Sequence, residues 1–281
     1  MCHLSIESLI VNTLQSSRRR LTRLDLQRRL TRRHGVDTGK AKAAIDLLLR
    51  RNEIAYSYHF GCTFLELSYN KPIRVTDAIV VKPPWCSFNA NPEDVVIDMN
   101  AGASFGTGQH PTTRLSLQGL DFLFRKENII KNRKNERVLD TGTGSGILII
   151  AAIKLGMAAG VGLDLDPCAL AEARENVLTN GLESRIRISH EPVEDIRTEF
   201  FLTIANLRLP SLDRLFSHLL NCTMQNGYIL LSGIKVEELA LFQNVTQKAG
   251  RVDAVWQANA LGWSAVTFKK RSASEGCRSL F

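Results

Sequence analysis

The sequence has few cysteines and no short-range pair of them. The six lie at positions 2, 62, 86, 168, 222 and 277, with no C-x-x-C pair and no histidine at ligand spacing. No H-E-x-x-H segment occurs among the six histidines. This pattern argues against a disulfide framework and indicates no metal site. It is typical of a reducing compartment, so we expect a cytoplasmic protein.

Long apolar runs are also scarce. The longest, residues 146–163, is interrupted by Lys154 and Gly156, so it predicts a buried helix followed by a buried strand rather than a membrane span. The first twenty residues carry their arginines after the apolar part, the reverse of a secretory signal. An acid at Glu7 disfavours a mitochondrial presequence. We therefore expect no membrane association.

Positive charge is concentrated at one end of the chain. Residues 1–74 contain 14 Lys and Arg against 6 Asp and Glu, whereas the rest of the chain contains 22 of each sign. The whole net charge of +8 thus lies in the first quarter. Such asymmetry indicates a separate unit with an anionic partner, RNA or DNA being the usual one, or else a basic face that is only solvated.

The spacing of apolar residues in this basic segment predicts three helices and a hairpin. The helices cover about 4–15, 22–34 and 38–52, the last capped by Asp37 or Thr38, and the hairpin turns near Gly61. This order predicts a small winged-helix-like α+β domain over residues 1–74. Its arginines lie mainly on and before the second helix, which favours phosphate contacts over base readout; protein docking stays open.

The pattern of predicted strands and helices changes in the rest of the chain. Residues 75–104 form a connector of short, proline-separated strands, and residues 271–281 form a tail. From residue 137 apolar strands alternate with helices, which predicts an α/β domain over 105–270: a parallel, doubly wound, seven-stranded Rossmann-like sheet. Its ligand should bind at the carboxyl ends of the strands.

A glycine turn, "VLDTGTGSG", ends the first strand of this sheet. Asp140 precedes Gly142 and Gly144, but the third glycine of a dinucleotide fingerprint is missing. The Asp140 carboxylate would repel a pyrophosphate and attract an ammonium group. Asp164 ends the next strand, 22 residues after Gly142, where a carboxylate can bind both ribose hydroxyls. These features fit S-adenosyl-L-methionine better than NAD, although either acid alone could be a helix cap or turn residue.

A third strand ends in "IANLRLP", which places Asn206 at the same edge. Its amide and neighbouring carbonyls could accept hydrogen bonds from an amine nucleophile and aim its lone pair at a methyl group. Methyl transfer from a sulfonium is an in-line displacement, so it depends on positioning more than on a strong base. A lone asparagine at a strand end is otherwise a turn residue.

The segment "FGTGQHPTT", residues 105–113, predicts an entrance loop and the start of a helix. Gly106 and Gly108 would allow close approach to a cofactor, Thr113 would offer a hydroxyl, and Phe105 would cover the site from water. His110 precedes a proline and two threonines, so we interpret it as structural rather than as a base, with Thr112 or Thr113 as the cap. The tryptophans, Trp85, Trp256 and Trp263, are interpreted as packing residues.

Together, "SFGTGQHPTT", "VLDTGTGSGILIIAAIKLG", "VGLDLDPCALAEARENVLTNGL", "IAN" and "LLSGI" resemble the PrmA-type methyltransferases over residues 80–269. These enzymes modify ribosomal protein L eleven with S-adenosyl-L-methionine. The resemblance implies cofactor contacts at Thr113, Gly142, Asp164 and Asn206. The chain differs from the family in "LRLP" after the asparagine and in its amino-terminal segment.

Three functions follow as hypotheses. The first is an S-adenosyl-L-methionine-dependent N-methyltransferase of a protein, acting on a lysine or terminal amine of a ribosomal or translation-related partner. Lysine would need a desolvated pocket that favours its neutral form. The second keeps the enzyme but makes RNA or DNA the substrate, docked by residues 1–74. The third is a cofactor-sensing, nucleic-acid-binding regulator without turnover.

Overall fold

The structure is a computed structural model of the 281-residue chain. It describes residues 5–17, 19–59, 61–68, 71–100, 108, 110–131, 135–248 and 251–272. The chain forms two compact units, Met1–Lys71 and Pro72–Phe281. This division falls three residues before the boundary predicted from charge. No helix in the described ranges has the length and apolarity that crossing a membrane requires.

The smaller unit consists of three helices followed by an antiparallel hairpin. Its elements are α1 (Ile6–Ser16), α2 (Arg23–His34), α3 (Thr38–Arg50), β1 (Ile54–His59) and β2 (Cys62–Leu67). The Leu65 amide donates a hydrogen bond of 2.8 Å to the Leu21 carbonyl, which joins the segment between α1 and α2 to the hairpin. The core contains fully buried aliphatic side chains, among them Ile10, Leu26, Leu30, Ile45 and Leu48.

Local side-chain hydrogen bonds set the helix ends of this unit. Thr22 and Asp25 form a capping box at the start of α2, in which each side chain accepts from the backbone N–H of the other. The helix stops at Gly35, whose left-handed φ of +64° suits glycine. Asp37 caps α3 by accepting from the Lys40 amide at 3.0 Å.

The larger unit begins with a small sheet in the segment predicted as a connector. Its strands are β3 (Ile73–Arg74), β4 (Ile79–Lys82) and β5 (Val95–Asp98), in the order β3-β4-β5. Ile79, Val81 and Ile97 are buried in the same core as the helices that follow. The segment is therefore an integral layer of the larger unit.

The main sheet follows helix α4 (Pro111–Asp121) and a short π-helical turn. Its elements are β6 (Arg137–Thr141), α5 (Ile147–Leu155), β7 (Ala159–Leu163), α6 (Pro167–Thr179), β8 (Ile186–Ser189), β9 (Phe200–Asn206), α7 (Leu209–Asn221), β10 (Thr223–Lys235), α8 (Val236–Lys248), β11 (Val252–Ala260) and β12 (Trp263–Lys270). The strand order is β11-β12-β10-β9-β6-β7-β8. The α/β class and the seven strands agree with the prediction.

The prediction of a wholly parallel sheet is wrong at β12. This strand runs antiparallel to both of its neighbours, β10 and β11, so the sheet is mixed. The connection from β11 to β12 contains only Leu261 and Gly262, both with positive φ. Two residues can join antiparallel strands, whereas a parallel pair needs a crossover of a dozen residues or more.

The direction of the strand order reverses between β6 and β9. From β6 the chain continues through β7 to β8 on one side, whereas β9 and β10 lie on the other. Two hydrophobic clusters cover the two faces of the sheet, one built around α5 and the other around α7 and α8. A crevice for a ligand is expected at such a reversal, outside the carboxyl ends of the strands.

Candidate active site

The glycine turn folds back over the end of β7. The amides of Gly142 and Thr143 both donate to the Leu163 carbonyl at 2.8 Å. Gly142, Gly144 and Gly146 have φ values of +70°, +54° and +83°. Three left-handed residues in five explain the glycine spacing, because side chains with a Cβ strain this conformation.

Gly142 also lies against the chain that follows β9. A Cβ at this position would be 2.5 Å from Leu207 Cδ2, a distance that real Cβ atoms do not show. Leu207 directly follows Asn206. Gly142 therefore lets the glycine turn and the end of β9 approach each other closely.

Asp140 is completely buried at the end of β6. Its Oδ2 accepts a 2.7 Å hydrogen bond from the Thr143 hydroxyl, whereas its Oδ1 has no partner among the described residues. Burial raises the pKa of Asp140 to about 7; the Thr143 hydrogen bond opposes this rise, the nearby Asp164 charge adds to it, and the Ile149 backbone amide opposes it to a smaller extent. A cation beside Oδ1 would restore the carboxylate form.

Asp164 is half-buried at the end of β7, and two backbone amides hold its carboxylate. Oδ2 accepts from the Gly144 amide at 2.9 Å, and Oδ1 accepts from the Asp166 amide at 3.0 Å. The first of these bonds joins the acid to the glycine turn. Because each carboxylate oxygen can accept more than one hydrogen bond, both retain capacity for ribose hydroxyls.

Asn206 ends β9 beside Ser232 of β10, its partner in the parallel register. The Asn206 Oδ1 is buried and accepts no hydrogen bond from the described part of the chain. The Ser232 hydroxyl donates to the Thr112 carbonyl at 3.1 Å, which anchors the first turn of α4 on the carboxyl end of β10. Helix α4 thus begins at the same edge as Asn206.

His110, and neither threonine, caps α4. Its Nδ1 accepts from the Thr112 amide at 3.3 Å and lies 2.8 Å from the Thr112 hydroxyl. The prediction of a threonine cap is wrong, because Pro111 occupies the first helical position and the cap must precede it. The structural interpretation of His110 agrees with this contact.

Four buried oxygen atoms without a partner in the described residues lie at this edge or on the first turn of α4. They are Thr113 Oγ1, Asp140 Oδ1, Thr141 Oγ1 and Asn206 Oδ1. Buried polar atoms in proteins almost always have a hydrogen-bond partner. A group of unpaired acceptors and hydroxyls therefore indicates a polar ligand or ordered water at this edge.

The entrance loop is described only at Gly108 and His110; the predicted contacts of Phe105 and Gly106 lie outside the described residues. Gly108 is buried with φ of +85°, and a Cβ there would lie 3.6 Å from the side chains of Val81 and Ile147. Ile147 is the first residue of α5, directly after the glycine turn. Gly108 therefore lies in ordinary contact distance of the residue that follows the glycine turn, and its predicted approach to a cofactor stays a prediction.

The three tryptophans have different environments. Trp256 packs against the core and stacks on Phe122 with ring centroids 6.1 Å apart, which confirms its packing role. Trp85 is 66% exposed, so the same interpretation is wrong there. Trp263 lies between His110, with ring centroids 5.2 Å apart, and the Arg208 guanidinium, 5.4 Å from its ring.

Sequence reasoning missed three polar residues of the site. Thr143 binds Asp140, Ser232 anchors α4, and the Thr141 hydroxyl is one of the unpaired buried atoms. A hydroxyl residue three positions after a buried acid was a usable signal for Thr143. Ser232 carried no such signal, since only the sheet order places it beside Asn206.

Comparison with known proteins gives a consistent result. A family model described as ribosomal protein L11 methyltransferase (PrmA) matches residues 65–271. A ribosomal protein L11 methyltransferase of Geobacter metallireducens is 42% identical over 166 residues, 59% of this chain and 52% of that protein. One of Geotalea uraniireducens is 33% identical over 208 residues, 73% of this chain and 66% of that protein.

The chain spans between about half and two thirds of the length of these curated relatives. A crystal structure of ribosomal protein L11 methylase from Lactobacillus delbrueckii subsp. bulgaricus aligns with a TM-score of 0.63 and 24% identity, covering 72% of this chain and 100% of that one. This likeness supports the fold. Because the family model covers every strand of both sheets in the larger unit, the chain belongs to the ribosomal protein L11 methyltransferase (PrmA) family.

Proposed function

We propose that this protein is an S-adenosyl-L-methionine-dependent N-methyltransferase that acts on a protein. The observation that carries the proposal is the buried Asp140 carboxyl group, whose Oδ1 lacks a partner in the described residues, beside the half-buried Asp164. A cofactor that combines an ammonium group with a ribose satisfies both acids, whereas a pyrophosphate would face two carboxyl groups.

Each of the proposed site residues would contact a different part of this cofactor. Asp140 would bind the ammonium group, and Asp164 would accept hydrogen bonds from the ribose hydroxyls. Gly142 and Gly144 keep the turn free of side chains, so the backbone can approach the ligand. Thr113 offers a buried hydroxyl from the first turn of α4.

Asn206 is the proposed catalytic residue, and it also borders the cofactor. The bound cofactor supplies a methyl group on a positively charged sulfur. The Asn206 Oδ1 would accept an N–H from the substrate amine and so orient the nitrogen lone pair for in-line attack. A substrate lysine must lose its proton before attack, and a pocket shielded from water favours that neutral form.

A binding measurement tests the cofactor assignment. We expect calorimetry to show S-adenosyl-L-methionine binding to the full chain and at least a tenfold loss of affinity in Asp164→Asn, because hydrogen bonds to a charged group contribute about 1.5–3 kcal/mol. Asp166→Asn removes a neighbouring negative charge but keeps a helix-capping side chain, so it should bind normally. No binding by the wild type would refute the proposal.

The substrate class follows from the relatives, whose names specify a ribosomal protein. We therefore propose a ribosomal or translation-related protein substrate in the cytoplasm. The protein should transfer radiolabelled methyl groups to a macromolecule in a ribosome-containing extract. Protease treatment should release this label from the acid-insoluble fraction, and nuclease treatment should leave it there. Labelling of no macromolecule would favour a cofactor-sensing regulator instead.

The second candidate is methylation of RNA or DNA. The basic charge of the smaller unit favours it, because this unit contains 13 of the 36 Lys and Arg residues in a quarter of the chain. In the same labelling experiment, a product that is sensitive to nuclease and resistant to protease would establish this candidate and exclude the first.

We further propose that the smaller unit is a winged-helix domain. Helices α2 and α3 are joined by three residues, the hairpin follows α3, and the Leu21–Leu65 bridge supplies a short third strand. The Leu65 amide, bonded to Leu21, should then exchange slowly with deuterium, although it lies at the edge of a two-stranded hairpin. Rapid exchange there would contradict the arrangement.

A further inference from the structure

We infer that the smaller unit binds nucleic acid through unpaired bases, with hairpin tyrosines stacking on bases and helix cations binding phosphates. This inference concerns a surface of the smaller unit and does not depend on which macromolecule is methylated. It names the mode of contact, a single strand rather than a duplex groove.

The acidic residues of this unit are already engaged. Three form ion pairs: Asp46 with Arg23 at 2.6 Å, Glu66 with Arg20 at 3.0 Å, and Glu53 with Lys71 at 3.6 Å. Asp25 and Asp37 cap helices, and Glu7 lies in the first turn of α1, where hydrogen bonds to its own backbone amide and to Ser5 lower its pKa. These acids leave most of the positive charge uncompensated.

Three of the remaining cations lie where α2 ends and α3 begins. Arg32 and Arg33 belong to the last turn of α2 and Lys40 to the first turn of α3, and all three are exposed. None of them forms an ion pair with a residue in the described ranges. Arg28, one turn earlier on α2, is exposed as well. Several exposed cations without ion-pair partners can contact several phosphates of a nucleic-acid backbone.

The hairpin exposes two aromatic side chains. Tyr56 and Tyr58 point to the same side of β1, because residues two apart share a face, and they are 51% and 73% exposed. Tyr58 pairs with Thr63 beside the hairpin turn. Exposed aromatic rings on a basic domain are the usual platforms for stacking unpaired bases.

One arginine connects the hairpin to both helices. Arg23, the first residue of α2, donates to the Tyr56 hydroxyl at 3.1 Å and to Asp46 of α3 at 2.6 Å. The outward side of α2 starts at the next residue, Leu24, and continues through Arg28 to Arg32, about 12 Å along the axis. In the proposed mode, the phosphates of a strand stacked on Tyr56 contact Arg28 and Arg32 on this side of α2.

The outward side of α3 argues against groove readout. It combines Gly39 and Ala43 with Asp46, which Arg23 already holds; its exposed cations are Lys40, Lys42 and Arg50, and the helix contains no asparagine or glutamine to bind adenine. Stacking needs no such side chains, since every base has a π-face. Single-strand binding with little sequence preference is the mode that these residues support.

Fluorescence anisotropy of the full chain tests the inference. The probes are a labelled mixed-sequence 12-nucleotide RNA, the DNA of the same sequence and the DNA duplex, each measured over a series of NaCl concentrations. We expect both single strands to bind more tightly than the duplex, with log affinity falling linearly against log salt. A tighter RNA complex would assign a role to the 2′-hydroxyl, and equal affinities would assign stacking and phosphate contacts alone.

Two kinds of variant separate the stacking from the charge. Tyr58→Ala should lower single-strand affinity about 5- to 100-fold with an unchanged salt slope, and Tyr58→Phe should retain binding. Arg32→Gln with Arg33→Gln should reduce the salt slope by about 1–2. The matched control for stacking is Trp85→Ala, at an exposed aromatic of the larger unit, and the control for charge is Lys126→Gln with Lys131→Gln. Neither control should change the single-strand affinity or the salt slope.

The measured affinities distinguish single-strand binding from duplex binding and from protein docking. No binding to any probe at about 25 mM salt would overturn the inference and leave protein docking as the role of this surface. Tighter binding of the duplex than of the single strands, together with an unchanged single-strand affinity of Tyr58→Ala, would also overturn it. Binding of S-adenosyl-L-methionine, measured on the same variants, should stay at the wild-type level, so a failure here is distinct from a failure of the proposed methyl transfer.

Discussion

At Asp140, folding and the proposed binding of an ammonium group would favour opposite protonation states of one carboxyl group. Complete burial favours the neutral form and raises its pKa to about 7, whereas an ammonium ligand requires the charged form. The Thr143 hydroxyl reduces this difference, because it donates a hydrogen bond to Oδ2 whether the carboxyl group is neutral or charged. In the proposed function, the residue would therefore couple cofactor binding to stability and pH.

Asp140→Asn should stabilise the protein without its cofactor in a pH-dependent way. The folded pKa lies above the ordinary value of 3.8, so the stabilisation from the neutral acid is complete below about pH 4 and is lost as the pH rises to about 7. The asparagine does not titrate. Its advantage in the free energy of unfolding should grow over this range, to about 4 kcal/mol at most, and stay constant above it.

Urea denaturation of wild type and Asp140→Asn between pH 4.5 and 8 measures this difference. Other titrating groups are common to both proteins and cancel. Asp213→Asn, at an exposed acid of α7, controls for the loss of one charge. Parallel stability curves for wild type and Asp140→Asn would contradict the raised pKa.

Gly142→Ala should destabilise the larger unit and reduce cofactor affinity. The alanine Cβ would meet Leu207 Cδ2 at 2.5 Å and would also hold a strained φ of +70°. Gly181→Ala is the matched control, since its φ is +65° and its Cβ would have open space within 4 Å. We expect about 1–2 kcal/mol for Gly181→Ala and roughly 1–3 kcal/mol more for Gly142→Ala.

Thermal and urea unfolding of both glycine variants test this expectation. A second change, Leu207→Ala, removes the side chain that the new Cβ would meet, so the double variant should recover the additional loss. Equal destabilisation of Gly142→Ala and Gly181→Ala would show that backbone strain, and not the approach of Leu207, accounts for the glycine.

At the scale of single elements, Lys270 fixes the last strand of the mixed sheet to helix α7. Its side chain is 3% exposed, and its Nζ donates to the Leu220 carbonyl at 2.9 Å and to the Thr223 carbonyl at 2.5 Å. Both carbonyls lie where α7 passes into β10. A buried lysine thus donates to one carbonyl in the last turn of α7 and to one at the start of β10.

Lys270→Met should destabilise the protein by about 2–4 kcal/mol, because it removes two hydrogen bonds that a charged group donates in a buried environment. The neighbouring Lys269 is exposed, so Lys269→Met serves as the control and should change stability by less than about 0.5 kcal/mol. Urea denaturation near neutral pH measures both. Similar values for the two variants would show that the Lys270 hydrogen bonds contribute little.

Helices and strands were largely predictable from local patterns, and the exceptions have specific causes. The three helices of the smaller unit and the alternating elements after residue 137 follow from apolar spacing. The cap of α4 was misassigned because histidine is an uncommon cap, although Pro111 at the first helical position requires the cap to precede it. The direction of β12 was missed because the parallel sheet was predicted from alternating strands and helices, and no helix lies between β11 and β12.

At the scale of the whole molecule, the two compact units have separate cores. The buried cluster of the smaller unit contains only residues up to Leu65, and both clusters of the larger unit begin at or after Val75. Each unit thus has the apolar interior that independent folding requires. The domain boundaries predicted from charge remain predictions in detail.

A protein of residues 72–281 should therefore fold alone and bind S-adenosyl-L-methionine within about twofold of the full chain, since every proposed cofactor residue lies in this unit and has its contacts there. Calorimetry on both proteins makes the comparison. A loss of more than about tenfold, with a cooperative unfolding transition retained, would show that the smaller unit contributes to cofactor binding.

The sequence by itself determined the α/β class, the glycine turn and the two acids at strand ends, because these depend on local periodicity and on side-chain chemistry at fixed spacing. Only the tertiary structure decided that Asp140 is completely buried, that Leu207 closes on Gly142 and that Ser232 anchors α4 beside Asn206. These contacts join residues separated by 65 to 120 positions. No local pattern encodes such pairs, since strand order brings them together and burial then sets their charge.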